Sequence, residues 1–240
     1  MNTPQAVFFD LDETLIKNTS DTDVLFGEVF RSQFVTLEPM LFEPFMAALR
    51  EHAAHVWDTM FDRAEPATDQ LTQAMASAIA AVGGDTAGGA AFFEAFAAVA
   101  AANSELHRNA RETLEALRDR GIGVGIITNG FEALQMTKIR RHGLHDLVDA
   151  VIVSEHAGAH KPSPRVFEFA LRKLGVAAGS AWHVGDHPVN DVAGAAGVGL
   201  GAIYFNPALA EAELDGLFPQ GKKPPFHAIA DLAELQALIA

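Results

Sequence analysis

The chain has 240 residues, with 31 acidic against 17 basic side chains, so its formal net charge is -14. Nucleic-acid binding needs a basic surface for the phosphates, so this charge excludes nucleic acid as an expected partner, above all for residues 1–105, which carry 16 acidic and 4 basic side chains. The composition, 49% hydrophobic and 20% charged, is typical of a globular, enzyme-sized chain with one or two buried cores.

Short apolar runs that stop at polar or glycine residues predict the buried strands of a parallel sheet. The first is AVFF at 6–9, which ends at Asp10. The later runs are 122–128, 150–153, 181–185 and 199–205, with a last strand near 227–229. Helical segments with glycine at or just past their ends separate several of them, at 108–120, 131–142 and 164–174. This alternation predicts an α/β fold, a Rossmann-like parallel sheet with helices on both faces.

The interval from residue 17 to residue 105 does not alternate in this way. Its apolar residues recur at helical spacing in four stretches, 26–34, 42–61, 71–82 and 91–102. We therefore expect residues 17–105 to form an inserted all-helical cap domain of four helices, and residues 1–16 and 106–240 to form the α/β core. The segment 206–226, rich in proline, is expected to be loop and short helix.

Two aspartates follow the first predicted strand in the sequence DLDET, at Asp10 and Asp12. Strand alternation places both side chains on one side as the chain turns into a loop. An ionised carboxylate there can act as a nucleophile, and its neighbour can act as a general acid and then as a general base. One aspartate after a strand is most often a turn or cap residue, so this interpretation depends on the motifs downstream.

Two of those motifs suit a phosphate group. Thr128, Asn129 and Gly130 follow the strand GVGIIT and precede a helix, where a hydroxyl and exposed backbone amides can bind phosphate oxygens. Lys161 precedes the helix that begins at Pro164, and its ammonium can offset the charge of a carboxylate and a phosphoryl group.

The last motif, GDHPVND, follows the strand AWHVG and supplies acids at Asp186 and Asp191. Placed with Asp10, these carboxylates offer the hard oxygen ligands that Mg2+ prefers. Gly185 permits close approach to the strand backbone.

The four motifs in this order, DLDET, ITN, KP and GDxxxND, resemble those of the haloacid dehalogenase superfamily, and the helical insertion is similar to its type 1 cap. Together the core and the cap account for essentially the whole chain. The dehalogenases of that superfamily lack the second aspartate of the first motif, because they have no leaving alcohol to protonate. Asp12 is present here, so the chain resembles the phosphatase branch.

The resemblance implies a phosphatase that works through an aspartyl-phosphate. Asp10 would attack phosphorus, and Asp12 would protonate the leaving oxygen and later activate water. Thr128 and the Asn129 amide would hold the phosphoryl oxygens, while Lys161 would offset negative charge.

The resemblance also implies Mg2+ as cofactor, held by Asp10, the backbone carbonyl of Asp12 and Asp186. Asp191 would orient a metal-bound water or Lys161. Thr14 is expected to hydrogen-bond near Asp12. The choice between Mg2+ and Mn2+ stays open.

Two alternatives share these residues. A phosphomutase of sugar phosphates would return the phosphoryl group to its substrate, but the mutases of the superfamily usually have glycine after the acid/base aspartate, where this chain has Glu13. A phosphoryl-accepting signalling module would keep the aspartyl-phosphate, but such receiver domains are about half this length and have no helical cap. Asp12 also disfavours the second alternative, because a general base in place hastens hydrolysis.

The expected partner is a small phosphorylated metabolite with one phosphate and an otherwise neutral group. The reason is that the predicted cap has only four basic side chains, Lys17, Arg31, Arg50 and Arg63. Neither nucleic acid nor a membrane is expected as a partner, and the oligomeric state is open.

Other conspicuous residues are expected to be structural. His52 and His55 have metal-ligand spacing but no third ligand nearby. His160 and His183 are expected to be structural, and His187 is expected to shape the mouth of the site. Phe26, Phe30 and Phe34 share one helical face and are expected mainly to pack, with substrate contact as the less favoured role.

The sequence also predicts a cytoplasmic location. It has no cysteine, which excludes disulfides and is consistent with a reducing compartment. Its N-terminus lacks the cationic stretch and long apolar run of a signal peptide. The alanine-rich windows 74–82 and 90–102 are too short to span a bilayer.

Overall fold

The computed structural model describes residues 3–34, 39–54, 56–59, 66–208, 218 and 224–239. By contact, the chain divides into two units. The sheet unit comprises Met1–Lys17, Glu105–Gly130 and His142–Ala240, and the helical unit comprises Asn18–Ser104 and Phe131–Arg141. His55, Arg63 and most of the predicted loop 206–226 lie outside the described residues.

The described residues contain eight strands, numbered in chain order. They are β1 (Ala6–Phe9), β2 (Ile16–Asn18), β3 (Ser104–Leu106), β4 (Gly123–Thr128), β5 (Ala150–Val153), β6 (Ala181–Gly185), β7 (Gly201–Phe205) and β8 (Phe226–Ile229). Six of them form one parallel sheet in the order β5-β4-β1-β6-β7-β8, and β2 and β3 form a separate pair. The predicted parallel α/β sheet is confirmed.

The α-helices of the described residues are also numbered in chain order. They are α1 (Thr22–Gln33), α2 (Phe42–Ala53), α3 (Val56–Thr59), α4 (Ala67–Ala81), α5 (Gly89–Ala102), α6 (Ala110–Asp119), α7 (Glu132–Arg141), α8 (Ser154–Ala157), α9 (Pro164–Leu174), α10 (Gly194–Gly197) and α11 (Leu235–Leu238). A π-helical turn, Pro188–Ala193, precedes α10.

β1 lies at the centre of the sheet, between β4 and β6, and all four of its residues are fully buried. Phe9 pairs with Ile126 on one side and with Val184 on the other. A side chain at Gly125 would collide with the Phe8 ring, at 2.6 Å from an added Cβ, so glycine is needed there for the strands to pack. In a parallel sheet the strands end at one edge, which brings the residues after β1, β4, β5 and β6 together.

The four predicted cap helices correspond to α1, α2, α4 and α5, but two details differ. The helix expected over 42–61 is interrupted, because α2 ends at Ala53 and α3 begins separately at Val56. The described residue between the two helices is Ala54, which is neither glycine nor proline, so the sequence gives no helix-breaking signal at that position. The pair of short strands β2 and β3, where the chain leaves and re-enters the sheet unit, was also not predicted.

α7 groups by contact with the helical unit, although its sequence lies within the predicted core segment 106–240. It packs against α5, and Phe131 and Leu134 join the apolar core of that unit. The division of the chain at residues 17 and 105 stays a prediction of domain organisation.

The core of the helical unit is built from aromatic rings. Phe26 stacks on Phe96 at 4.2 Å between ring centroids, and Phe30 lies 5.1 Å from Phe45. Phe92 is fully buried at the centre of this cluster. These contacts confirm that Phe26 and Phe30 pack.

Candidate functional site

Polar residues gather at the carboxyl edge of the sheet around a cavity of about 210 Å³. Its lining comes from the loops that follow β1, β4 and β6 and from the segment before α9. The lining residues are Asp10, Asp12, Glu13, Thr128, Asn129, Lys161, Asp186, His187, Asn190 and Asp191. The parallel topology therefore brings all four predicted motifs to one site.

Asp10 is held directly after β1. Its backbone N–H donates to the Val184 carbonyl at 2.9 Å, which continues the ladder with β6. Its Oδ1 accepts a hydrogen bond from the Leu11 N–H at 2.7 Å and an ion pair from Lys161 Nζ at 2.7 Å. Among the described residues none donates to Oδ2, so that oxygen keeps its lone pairs for a phosphorus atom or a cation.

Lys161 joins Asp10 to Asp191. Its Nζ lies 2.7 Å from Asp10 Oδ1 and 2.6 Å from Asp191 Oδ1, and only 4% of the residue is exposed. The backbone around Lys161 is fixed by Asn129, whose Oδ1 accepts from the Lys161 N–H at 2.8 Å and whose Nδ2 donates to the Lys161 carbonyl at 3.1 Å. The Asn129 side chain thus positions Lys161, and the predicted phosphate contact of Asn129 rests on its backbone amide.

The turn at Thr128, Asn129 and Gly130 is fixed by Ser154, the first residue after β5. The Gly130 N–H donates to Ser154 Oγ at 3.0 Å, and Ser154 Oγ donates to the Gly130 carbonyl at 3.4 Å. Gly130 has φ of 150°, in the region that favours glycine. Thr128 is almost fully buried at the end of β4 and lines the cavity, where its hydroxyl can bind a phosphate oxygen.

Asp191 is fully buried and is held by three donors. Lys161 Nζ and His183 Nε2 lie at 2.6 and 2.9 Å from its Oδ1, and the His187 N–H donates to its Oδ2 at 3.0 Å. Of the two roles expected for Asp191, the contacts favour the one toward Lys161. Gly185 makes this possible, because an added Cβ there would lie 2.2 Å from Asp191 Cγ. The close approach at Gly185 is therefore made by the Asp191 carboxylate.

The turn after Asp12 brings Thr14 close to the last motif. Glu13 has φ of 57°, so the chain reverses there, and the Thr14 hydroxyl donates to Asp186 Oδ1 at 3.4 Å. The expected hydrogen bond of Thr14 near Asp12 stays a prediction, and the Thr14 hydroxyl also links the first motif to the last.

Burial dominates the electrostatics of the cluster. It raises the pKa of Asp10 well above its usual value, with a contribution from Asp191 and against the opposing effect of Lys161. Burial, reinforced by Asp191, also raises the pKa of Asp186 to about 6. For Asp191, burial is outweighed by Lys161 and His183, so its pKa is lowered. Burial would lower the pKa of Lys161, but Asp10 and Asp191 together raise it.

A divalent cation fits the donors that remain. One carboxylate oxygen from each of Asp10, Asp186 and Asp191 lies within 4.8 Å of the others. The Asp191 oxygens are already bound by Lys161, His183 and the His187 N–H, which leaves Asp10 and Asp186 as the carboxylates available to a metal. Burial raises the pKa of both carboxyl groups, and carboxylate oxygens are the ligands that Mg2+ prefers.

Two histidines have more defined roles than the sequence indicated. His187 lines the cavity, as expected, and its Nδ1 also accepts from the Val189 and Asn190 N–H groups, so it caps the π-helical turn. His183, expected to be structural, contacts Asp191 directly. A signal was available: His183 and Gly185 are two apart on β6, so strand alternation places both toward Asp191.

A carboxylate, a second carboxylate in the same cavity, a buried lysine and a hydroxyl at the end of β4 are side chains that suit a hydrolase with an aspartate nucleophile. The model of the haloacid dehalogenase-like hydrolases matches residues 4–199. The chain belongs to this family.

Among its relatives, a ribulose-1,5-bisphosphate 5-phosphatase of Halopiger xanaduensis is 36% identical over 133 residues, which cover 55% of this chain and 56% of the relative. A glyceraldehyde 3-phosphate phosphatase of Methanothermobacter thermautotrophicus is 34% identical over 131 residues, covering 55% and 57%. The chain thus spans about half the length of the curated relatives it matches.

Solved structures match over the full length. A 2-haloacid dehalogenase of Pseudomonas syringae pv. tomato covers 100% of this chain and 98% of its own, with 27% identity and a TM-score of 0.74. No helix among the described residues is long and apolar enough to cross a membrane.

Proposed function

We propose that this protein is a Mg2+-dependent phosphatase that hydrolyses a small phosphorylated metabolite through an aspartyl-phosphate on Asp10. The observation that carries the proposal is the pair of aspartates at the edge of β1: Asp10, ion-paired to buried Lys161, and Asp12, which lines the same cavity. The phosphatase names of both curated relatives support the same activity.

Asp10 acts as the nucleophile. Its Oδ1 is occupied by the Leu11 N–H and Lys161, which fixes the carboxylate plane and leaves Oδ2 for attack on phosphorus. Attack forms the bond between the carboxylate oxygen and phosphorus and breaks the bond between phosphorus and the leaving oxygen.

Asp12 transfers the protons. It donates one to the leaving oxygen and later accepts one from the water that attacks the aspartyl-phosphate. Asp12 and Asp10 line one cavity, so one bound phosphoryl group can be near both residues.

Thr128, the Asn129 backbone amide and Lys161 hold the phosphoryl group. Thr128 and Asn129 sit on the turn fixed by Ser154, and Lys161 is fixed in turn by the Asn129 side chain. These donors are oriented before the substrate arrives, which is how a polar site stabilises charge that develops in a transition state.

Asp10, the backbone carbonyl of Asp12 and Asp186 would hold Mg2+. When bound, the ion offsets the repulsion between an anionic nucleophile and an anionic phosphate. Asp191 contacts Lys161 Nζ and so keeps the lysine ammonium beside Asp10.

The full-length likeness to a 2-haloacid dehalogenase makes dehalogenation a second candidate. Asp12 disfavours it, because displacement of halide from carbon leaves no oxygen to protonate. The phosphomutase and the phosphoryl-accepting module stay as the alternatives drawn from the sequence.

The substrate class is proposed as a monophosphate with an otherwise neutral group. In the described part of the helical unit Arg50 is ion-paired to Asp23 at 2.7 Å, which reduces the positive charge available for a second anionic group. A bisphosphate, as named for the Halopiger relative, is the competing possibility. The cytoplasmic location stays a prediction.

The test is phosphate release from p-nitrophenyl phosphate with Mg2+ by the wild type and by Asp10→Asn. We expect the substitution to lower kcat by about 10⁴-fold or more, as loss of a nucleophile does. Unchanged release would overturn the proposal. Halide release from 2-chloropropionate would favour the dehalogenase, and exchange between sugar-phosphate isomers without free phosphate would favour the mutase.

A further inference from the structure

His183 lies outside the cavity lining but is connected to the nucleophile through two residues. Its Nε2 is 2.9 Å from Asp191 Oδ1, the same oxygen that Lys161 Nζ contacts at 2.6 Å. Lys161 Nζ in turn contacts Asp10 Oδ1 at 2.7 Å. The four side chains form one continuous chain, from a histidine on β6 to the carboxylate at the end of β1.

Every member of this chain is nearly inaccessible to water. His183 is 1% exposed, Asp191 0%, Lys161 4% and Asp10 9%. Water therefore cannot replace a donor that is removed from Asp191. A buried carboxylate that loses one of its hydrogen bonds is destabilised and tends to move toward its other partners.

The protonation state of His183 follows from its partners. Asp191 is an acceptor, so Nε2 must carry the proton that it donates. Nδ1 has no hydrogen-bond partner among the described residues, and the ring packs edge-on against Phe167 at 5.3 Å between centroids. Burial lowers the pKa of His183, in keeping with a neutral ring that donates from Nε2 alone.

Burial of the His183 ring with Nδ1 unpaired is less favourable than burial of an apolar side chain of similar size. Burying a polar atom without a partner costs free energy that an apolar side chain would not incur. The Nε2 contact to Asp191 is the interaction that offsets this cost.

We infer that His183 is a positioning residue for catalysis: by donating from Nε2 to Asp191, it fixes the carboxylate that holds Lys161 against the nucleophile Asp10. Asp191 Oδ1 then accepts from two donors, Lys161 and His183, while Oδ2 accepts from the His187 N–H. This leaves the Asp191 carboxylate one orientation. The inference rests on the proposed function, because Lys161 and Asp10 matter as its reacting groups.

Two substitutions separate positioning from packing. His183→Leu keeps an apolar side chain of similar volume and removes both ring nitrogens. His183→Gln places an amide N–H close to the position of Nε2, so it can restore the donor to Asp191. The wild type and both variants are assayed for kcat and KM with p-nitrophenyl phosphate and Mg2+, and their thermal melting is recorded.

We expect His183→Leu to lower kcat by about 10- to 100-fold, the usual effect of losing a partner that orients a site residue. Its melting temperature should stay near that of the wild type, because the unpaired Nδ1 is removed together with the donor. His183→Gln should recover most of the lost kcat. Unchanged kcat in His183→Leu, or equal losses in the Leu and Gln variants, would overturn the inference.

Two readouts do not depend on turnover. A two-bond 1H–15N spectrum should show His183 neutral with the proton on Nε2, and a proton on Nδ1 would overturn the inference. Crystal structures of the wild type and His183→Leu should show a longer distance between Lys161 Nζ and Asp10 Oδ1 in the variant, and an unchanged distance would contradict it. If the wild type released no phosphate, the proposed function would fail, and these two measurements would still decide the role of His183.

Discussion

The helical unit buries phenylalanine rings, whereas the sheet unit buries a chain of charged and polar groups beside its apolar core. In the first, Phe30, Phe45 and Phe92 are nearly or fully inaccessible, and the Phe45 ring packs against the other two. In the second, Asp10, Lys161 and Asp191 are almost as inaccessible; the lysine is ion-paired to both carboxylates, and His183 is hydrogen-bonded to Asp191.

The two interiors stabilise the fold by different means. Ring packing removes apolar surface from water and gains contacts, so a truncation there loses free energy of unfolding. A buried charge cluster gains little net stability, because removal of the charges from water offsets their attraction. Substitutions in the helical unit should therefore act on stability, and substitutions in the charge cluster should act on chemistry.

In the charge cluster, the largest loss of activity after that of Asp10→Asn is expected at Asp12. Asp12→Asn removes the proton donor and base, and kcat should fall by about 10²- to 10⁴-fold with little change in melting temperature. Steady-state kinetics with an alkyl phosphate measure the loss, and p-nitrophenyl phosphate should lose less in the first step, because nitrophenolate needs less protonation to leave.

The neighbouring carboxylate provides the matched control. Glu13 also lines the cavity, yet we assign it no proton transfer, so Glu13→Gln should keep kcat within a few-fold of the wild type. Equal losses in both variants would show that charge in the cavity matters and that Asp12 has no special role.

On the stability side, Phe92→Ala should cost about 3–5 kcal/mol, the usual range for a buried phenylalanine. Phe92 is fully buried and lies 5.1 Å from Phe45 between ring centroids. Urea denaturation followed by circular dichroism measures the loss. Val24→Ala, at a residue 55% exposed on α1, is the control and should change stability by about 0.5 kcal/mol or less. Similar losses in the two variants would contradict the tight packing of the rings.

Gly185→Ala should lower both kcat and the free energy of unfolding, because the added methyl group pushes Asp191 away from β6. The added Cβ would lie 2.2 Å from Asp191 Cγ, so the carboxylate must move from Lys161 and His183. We expect about 10- to 100-fold lower kcat and a loss of about 1–3 kcal/mol from overpacking. Gly179→Ala, where an added Cβ meets nothing within 4 Å, should leave both unchanged. Wild-type kcat in Gly185→Ala would show that the position of Asp191 is unimportant.

The smallest effect is expected at Asp186, where removal of a buried charge should stabilise the fold. The pKa of Asp186 is raised to about 6 by burial, so the folded protein without metal binds a proton more readily than the unfolded chain does. Its ionisation destabilises the fold as pH rises from about 4 to 6. Asp186→Asn should therefore stabilise the metal-free protein by about 1–2 kcal/mol above pH 6 and by nothing below about pH 4.

Denaturation of the wild type and Asp186→Asn across pH, with chelator present, measures this difference. A constant difference at every pH would contradict the raised pKa of Asp186. Mg2+ should raise the melting temperature of the wild type at pH 7.5 and have little effect on Asp186→Asn, because a ligand that binds only the folded state stabilises it.

Much of the sheet and most of the site could be predicted from the sequence. The strand AVFF and the aspartate after it are separated by an abrupt change from apolar to acidic, and Gly121, Gly143 and Gly175 all have the positive φ of a left-handed residue at or after a helix end. Such residues can be read from the sequence because the local backbone conformation itself favours glycine.

What could not be predicted depends on contacts between distant segments. The hydrogen bond from Thr14 to Asp186 joins residues 172 positions apart, and its existence depends on the reversal at Glu13, a residue type that rarely has positive φ. The grouping of α7 with the helical unit likewise arises from packing that no local pattern encodes.

The central claim is that the phosphoryl group is transferred to the Asp10 carboxylate, and mass spectrometry of the trapped enzyme tests it most directly. Asp12→Asn is mixed with p-nitrophenyl phosphate and Mg2+ and quenched in acid, since loss of the general base should let the intermediate accumulate. We predict that the tryptic peptide 1–17 gains one phosphoryl group, that fragmentation places it on Asp10, and that the double variant with Asp10→Asn lacks it. Phosphate on another residue, or turnover by Asp10→Asn at the wild-type rate, would contradict the account.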